Sequence, residues 1–425
     1  MMKQFQILIC LLALCFAACG SDEPSPSPVP PDPPVPPTTQ SERTVLVYMA
    51  AQNNLSSFSS LDIEEMIKGS LSLNDKQNLM LFVDDQYSSD KSYFIRVKDG
   101  KLTDSTLVAD QSSADPALLE KALRYMRETY PAKSYGLVLW GHANGWIIKK
   151  DSIVYNTRAY GLDNNSSQKW MNIPSMAKAI KRGMNGEKLT FIHGDCCNFG
   201  CVESAYELRD VCDYVIGSPA EIPDLGNYYG DLSGYFDTSS TFYKKIIDLY
   251  YDYYLKYIPE HSTIYYIKEY GDLDGYSVPF MAVKTSELEN LASATASLLS
   301  TIPDKLSPTG TLDYSKVIYY GCYDGQKFNY DMYKTLKMNT AAADFNAWTP
   351  AFEKAVPYFR MSACWYTVVT KLKKEILSFD TIQDDNHVLA MFFPGVSYND
   401  VYPSWNKTVQ QLQWNGPISW QQYGW

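Results

Sequence analysis

The amino-acid sequence predicts an α/β fold built on a mostly parallel sheet with helices on both faces. Three observations point there. Short apolar runs recur at 44–48, 79–83, 135–140, 189–192 and 213–217. Segments with helical apolar stripes fill most of the intervals, and turn residues close the runs, as at Asp84-Asp85 and Gly194-Asp195. Strand and helix alternating this often imply parallel pairing with both faces covered.

Thr44–Tyr48 is the first expected strand, and it runs into Met49-Ala50-Ala51-Gln52-Asn53-Asn54-Leu55. A helix follows from Ser59 to Lys68, with Leu61, Ile63, Met66 and Ile67 as its apolar stripe. Leu79–Val83 is the second strand, and Tyr93–Val97 with Asp99-Gly100 forms a hairpin arm. Asp115-Pro116 supplies an N-cap and first-turn proline for a helix to Tyr130, whose stripe is Leu118, Leu119, Ala122, Leu123 and Met126. Tyr135–Trp140 is a strand that ends beside His142. The stretch 149–169 is polar and expected to be exposed; Pro174 then opens a helix to Met184. Leu189–Ile192 is a strand broken by Gly194 and Asp195, and Val202, Ala205, Tyr206 and Leu208 share one helical stripe after it. Asp213–Gly217 is a further strand. Tyr250, Tyr251, Tyr253, Tyr254 and Tyr257 fall at helical spacing with Phe242, Ile246 and Leu249, a packing pattern rather than a sugar-stacking one.

The first 18 residues hold an apolar core from Phe5 to Ala17, too short to span a bilayer and suited to a secretory signal. Phe16-Ala17-Ala18-Cys19 resembles a bacterial lipobox, which implies cleavage before Cys19, its lipidation, and attachment to a membrane through that lipid alone. Ser21-Asp22-Glu23 resembles a short acidic tether for display on the outer surface, so a cell-envelope lipoprotein of the outer membrane is expected. Residues 19–42 form a Pro-rich spacer, which stays extended and solvated. Beyond it, 45% hydrophobic and 20% charged residues are ordinary globular composition. A formal charge of -11 without a basic tract argues against nucleic acid as a partner.

The chemistry centres on Phe191-Ile192-His193-Gly194-Asp195-Cys196-Cys197-Asn198-Phe199-Gly200. A cysteine pair at the carboxyl end of a buried strand sits on the edge where open α/β sheets keep reactive groups. A thiol there is a nucleophile only if an imidazole or a helix N-terminus favours its thiolate. The chain has four histidines. His261 lies in a turn, His387 before an apolar run, and His193 within the cysteine strand itself, which leaves His142 as the partner. Taken alone, Asp195 could simply cap the helix that follows, and a lone cysteine such as Cys197 is more often a small buried hydrophobe than a nucleophile. His193, Cys196, Cys197 and Cys201 also resemble a metal set, but adjacent cysteines fit one tetrahedral site poorly, and no metal is expected.

Three blocks together resemble the clostripain family of cysteine peptidases: Val45–Leu55, Trp140-Gly141-His142-Ala143-Asn144-Gly145-Trp146, and Asp195-Cys196-Cys197 through Gly200, Glu203 and Tyr206-Glu207. The resemblance implies a caspase-like fold over residues 43–285, with 286–425 as a C-terminal α/β subdomain. It implies His142 and Cys197 as the catalytic dyad, Asp195 as an acid pairing with a substrate Arg or Lys, and backbone N–H groups of Ala143 and Cys197 facing the oxyanion. Where the family has glycine after the histidine this chain has Ala143, for which a positive φ would be strained. The family's second pocket acid falls in a loop that here reads Ile222-Pro223-Asp224-Leu225-Gly226-Asn227, with Asp224 displaced by one position and Glu221 a weaker substitute. Family members are often zymogens that cut themselves between histidine and cysteine, where Lys149, Lys150 and Arg158 stand. No cofactor is implied, some relatives need calcium, and a monomer acting on peptides or proteins with basic residues is expected. The alternative is an inactive surface lipoprotein that binds peptides or glycans through its aromatic residues.

Overall fold

The structure, a computed structural model, describes residues 40–86, 92–108, 112–147, 160–163, 169–254, 279–323, 326–361, 364–366, 376–378, 385–400 and 404–425. The chain runs through β1 (Arg43–Ala51), α1 (Ser56–Gly69), β2 (Gln77–Asp85), the hairpin β3 (Ser92–Lys98) and β4 (Lys101–Val108), α2 (Pro116–Thr129) and β5 (Tyr135–Gly141). A short pair follows, β6 (Tyr160–Asp163) and β7 (Lys169–Met171), then α3 (Ile173–Gly183), β8 (Leu189–Asp195), α4 (Val202–Glu207) and β9 (Cys212–Gly217). The later strands are β10 (Phe280–Lys284), β11 (Tyr319–Tyr323), β12 (Gln326–Asp331), β13 (Tyr358–Arg360), β14 (Cys364–Tyr366), β15 (Ile376–Ser378) and β16 (Ala390–Met391).

The main sheet has nine strands in the order β13-β10-β9-β8-β5-β1-β2-β3-β4. The central strands β9, β8, β5, β1 and β2 are parallel, and both edges are antiparallel. β1 shows why both faces must be covered: all nine of its residues are buried. Leu46, Tyr48 and Ala50 face a core shared with Leu118, Leu119 and Leu123 of α2 and Ile180 of α3. Val45, Val47 and Met49 face the opposite core with Met66 of α1 and with Phe242, Ile246 and Tyr250. Strand alternation therefore feeds two apolar layers, and no face is left for water.

Local chemistry accounts for the element ends. Asp115 caps α2 by accepting from the Ala117 N–H at 2.9 Å, with Pro116 in the first turn. Asp99 and Gly100 take φ of 52° and 73°, the left-handed pair that a two-residue hairpin turn requires. The tyrosines at 250, 251, 253 and 254 are buried, as their spacing predicts, whereas Tyr257 lies outside the described residues.

Three expectations are corrected. Leu61 does not join the buried stripe of α1 but is 49% exposed, and the buried face instead holds Ser59, Asp62, Met66 and Gly69. Two contacts set that rotation: Asp62 Oδ2 accepts from Trp140 Nε1–H at 2.6 Å, and Gly69 lies where a Cβ would stand 2.3 Å from the Tyr229 carbonyl. The stretch 149–169 is not exposed throughout, because Tyr160 is fully buried and its hydroxyl donates to the Tyr48 and Trp140 carbonyls. Gly194 and Asp195 do not break β8 but complete it. Among the described residues no helix is long and apolar enough to cross a membrane.

Candidate active site

Register places the two groups that the cysteine and histidine motifs single out. β5 and β8 are neighbouring parallel strands, with Trp140 opposite Asp195 as their last pair. His142 and Cys197 each lie two residues past that pair, so both stand on the carboxyl edge of the sheet, on strands about 5 Å apart. The two loops touch. Asn198 Nδ2 donates to Asn144 Oδ1 at 3.2 Å, and Gly145, with φ 62°, approaches so closely that a Cβ would lie 2.5 Å from the Asn198 carbonyl.

The cysteines differ in access. Cys197 is partly exposed, while Cys196 and Cys201 are buried. Burial pushes the Cys196 thiol well up and the Cys201 thiol to about 12, so both stay protonated and inert at neutral pH. The Cys201 thiol also donates to Ser204 Oγ at 3.1 Å. His142 is half-buried, and Asn54 Oδ1, from the loop after β1, lies 2.8 Å from its Nε2. The resemblance did not single out Asn54, although it stands inside the first matching block.

Ala143 carries no backbone strain, because the left-handed conformations of this turn fall on Gly141 (φ 138°) and Gly145 (φ 62°). Ala143 bridges Tyr160 in antiparallel fashion, with the hydrogen bond running from Gly161 N–H to the His142 carbonyl at 2.8 Å. In that pattern the N–H of the bridging residue points away from the partner strand.

Asp195 sits at the end of β8 and does not cap α4, which starts only at Val202. Its Oδ2 accepts from the Tyr229 hydroxyl at 2.6 Å and from the Asn227 N–H at 3.1 Å. Its Oδ1 is buried without a hydrogen-bond partner, a state that costs about 1–3 kcal/mol unless a ligand relieves it. Burial raises this carboxyl to about 6 against those two donors, which lower it. Two acids of α1 lie close to it, and burial favours their protonated forms. Asp62 is pushed well up, chiefly by burial and next by Asp195. Burial raises Glu65 to about 7, opposed by the Tyr229 N–H that it accepts at 2.9 Å. Neither was visible in the sequence, where Asp62 and Glu65 look like part of a solvated helix face.

The loop bearing Asp224 does reach Asp195. A Cβ on Gly226 (φ 57°) would lie 2.9 Å from Asp195 Oδ2, and Asn227 supplies one of its donors. Asp224 and Glu221 are half-exposed on that loop. His193 is buried in the wall behind, bonded to Asn227 at 2.9 Å and to the Tyr235 hydroxyl at 3.0 Å. Burial lowers it to about 3, so it is neutral and only weakly basic. His387 stacks on Tyr333 at 3.6 Å, a packing role. Cys19, Lys149, Lys150, Arg158 and His261 lie outside the described residues.

The C-terminal segment buttresses both loops. Trp146 Nε1–H donates to Asn329 Oδ1 at 3.0 Å. Ala390 bridges Cys201, and its N–H donates to the Gly200 carbonyl at 3.0 Å. Buried Glu203 accepts from the Phe392 N–H at 2.8 Å.

The profile of the clostripain family matches residues 47–423. Among solved structures, a secreted C11 cysteine protease from Bacteroides thetaiotaomicron bound to an irreversible peptide inhibitor is similar at 25% identity and TM-score 0.73, over 89% of this chain and 99% of that one. An inactive zymogen C11 protease from Parabacteroides distasonis shares the fold at 23% identity and TM-score 0.70, over 89% and 99% of the two chains. A cysteine protease from B. fragilis aligns at 27% identity and TM-score 0.51, covering 62% of this chain and 98% of that one. A search of curated proteins gives no match.

Proposed function

The chain belongs to the clostripain family of cysteine peptidases, and from that premise we propose an endopeptidase that cleaves after basic residues with His142 and Cys197 as its dyad. The observation that carries the assignment is positional: the partly exposed Cys197 and the half-buried His142 share one loop cluster, each two residues past the Trp140–Asp195 pair. Cys196, the other thiol of the pair, is sealed.

The Cys197 thiolate attacks the scissile carbonyl carbon and a tetrahedral oxyanion forms, which the N–H groups of Ala143 and Cys197 meet. Protonated His142 gives its proton to the departing amine as the C–N bond breaks. The thioester that remains is hydrolysed by water, which releases the carboxylate product and the thiol. Asp195 receives the basic side chain, and its unpaired buried Oδ1 supports this role, since a cation supplies the partner that oxygen lacks. Asp224 adds charge from the overlying loop. Upstream, the lipid on Cys19 and the spacer to residue 42 hold this peptidase in the cell envelope, at the outer membrane, and the chain acts as a monomer on peptide or protein substrates.

The test is hydrolysis of fluorogenic peptides with Arg, Lys or norleucine before the scissile bond, with Cys197→Ala as control and with and without calcium. Cleavage of the basic peptides that is lost in Cys197→Ala supports the reading. Equal rates on the norleucine peptide would remove Asp195 from its role, and activity surviving in Cys197→Ala would remove the dyad.

A further inference from the structure

The two oxygens of Asp195 are in different states. Oδ2 accepts from both the Tyr229 hydroxyl at 2.6 Å and the Asn227 N–H at 3.1 Å, which uses both of its lone pairs. Oδ1 is buried with no hydrogen-bond partner, and no ion pair involves Asp195 among the described residues. Asn227 belongs to the loop that packs on the carboxylate and Tyr229 follows just after it, and both donors are tied to the core behind. Asn227 Nδ2 donates to His193 Nε2 at 2.9 Å. The Tyr229 N–H donates to Glu65 Oε2 at 2.9 Å, and its ring is fully buried and stacked with Tyr235. Residues 221–225, just ahead of Asn227, are half-exposed.

We infer that Tyr229 is a specificity-determining residue: by holding Oδ2 it leaves a single acceptor oxygen, and the pocket takes lysine in preference to arginine before the scissile bond. The inference rests on the reading of Asp195 as the pocket acid. A guanidinium binds a carboxylate best through two parallel N–H···O bonds, one to each oxygen. With Oδ2 occupied, arginine makes only one of them, and its other N–H groups lose water without a matched acceptor. An ammonium is a compact charge that one oxygen serves. Asp62 and Glu65, whose carboxyls burial pushes up, do not choose between the two cations.

Matched peptides that differ only in Lys, Arg or norleucine before the scissile bond test this. The wild type should cleave the Lys peptide with kcat/KM about threefold or more above the Arg peptide, the range that one pocket contact discriminates. Tyr229→Phe keeps the ring and removes the donor, and it should raise the Arg:Lys ratio about fivefold or more by freeing Oδ2 for a second bond. A wild type that prefers Arg, or a ratio unchanged in Tyr229→Phe, overturns the inference while the basic-residue reading stands. Lys and Arg peptides cleaved no faster than norleucine would overturn that reading as well. If Tyr229→Phe does not fold, n-butylammonium and n-butylguanidinium are compared as competitive inhibitors of the wild type. A lower inhibition constant for the ammonium supports the inference, and the reverse order overturns it.

Discussion

Asn54 Oδ1 and His142 Nε2 stand 2.8 Å apart, across loops that follow two neighbouring strands of the sheet. An amide oxygen only accepts, so in the neutral ring Nε2 carries the proton and Nδ1 is the basic nitrogen. Asn54 therefore favours that tautomer and helps to hold the plane of the imidazole. Asn54→Ala should lower kcat about tenfold with KM nearly unchanged, a loss in the range of a misoriented acid–base group. Asn54→Asp should instead stabilise the imidazolium and move the alkaline limb of the pH–rate profile upward. Kinetics across pH on both variants check this, and a KM effect alone would place Asn54 in substrate binding.

The adjacent thiols make opposite predictions. Cys197→Ala should abolish turnover, by about a thousandfold or more as expected for a lost nucleophile. Cys196→Ala should keep activity within about threefold while stability falls by about 1 kcal/mol, because a buried thiol packs but does not react. Alkylation of the native protein with iodoacetamide followed by peptide mapping should find label on Cys197 and not on Cys196 or Cys201.

The sheet was legible because its strands are continuous apolar runs, whereas the neighbouring positions of β5 and β8 come from the structure. For the candidate site, the sequence pointed to the two loops that carry His142 and Cys197, which the structure places side by side. The acids of α1 were not legible, since Asp62 and Glu65 sit among Ser59, Glu64 and Lys68 and look solvated. Only the tertiary contact with Trp140 and Tyr229 turns them inward. Tyr160 was missed for the same reason: one aromatic in a polar stretch has no period, and its burial follows from carbonyls supplied by β1 and β5. β13, three residues long and far along the chain, carries too short a pattern to announce that it closes one edge of the main sheet.

Self-processing is expected between the dyad residues. Lys149, Lys150 and Arg158 are basic side chains between the histidine and cysteine loops, and an enzyme selective for basic residues can cut there itself. Incubated wild type should resolve into two fragments on a denaturing gel with a new N-terminus within 150–159, while Cys197→Ala stays whole. Wild type that stays whole and fully active would show that the cut is not required.

Gly226 tests the wall of the pocket without touching the dyad. Its φ of 57° and the 2.9 Å separation of a built Cβ from Asp195 Oδ2 leave no room for a side chain. Gly226→Ala should cost roughly 1–2 kcal/mol for the left-handed backbone alone. It should also raise KM for Lys and Arg peptides several-fold while a norleucine peptide is little affected. Equal effects on all three would assign the glycine to stability only.

Glu203 gives the pH dependence of folding a defined sign. It is fully buried behind the Cys197 loop, and burial raises its carboxyl from the ordinary 4.5 to about 8, against the Phe392 N–H that lowers it. One of its oxygens, Oε2, has no partner. The folded chain keeps this proton while the unfolded chain releases it, so its contribution is complete below pH 4.5 and is lost as pH rises toward 8. The slope is about 1.4 kcal/mol per pH unit for one proton. Glu203→Gln keeps an acceptor for Phe392 and has no proton to release. Its melting temperature should therefore fall less than that of the wild type between pH 5 and pH 8. Asp195 at about 6 and Glu65 at about 7 titrate in the same window with the same sign, so the variant's profile should flatten without becoming level. Parallel profiles for the two proteins would mean that Glu203 is already ionised in the fold, with its charge met by a group other than the Phe392 amide.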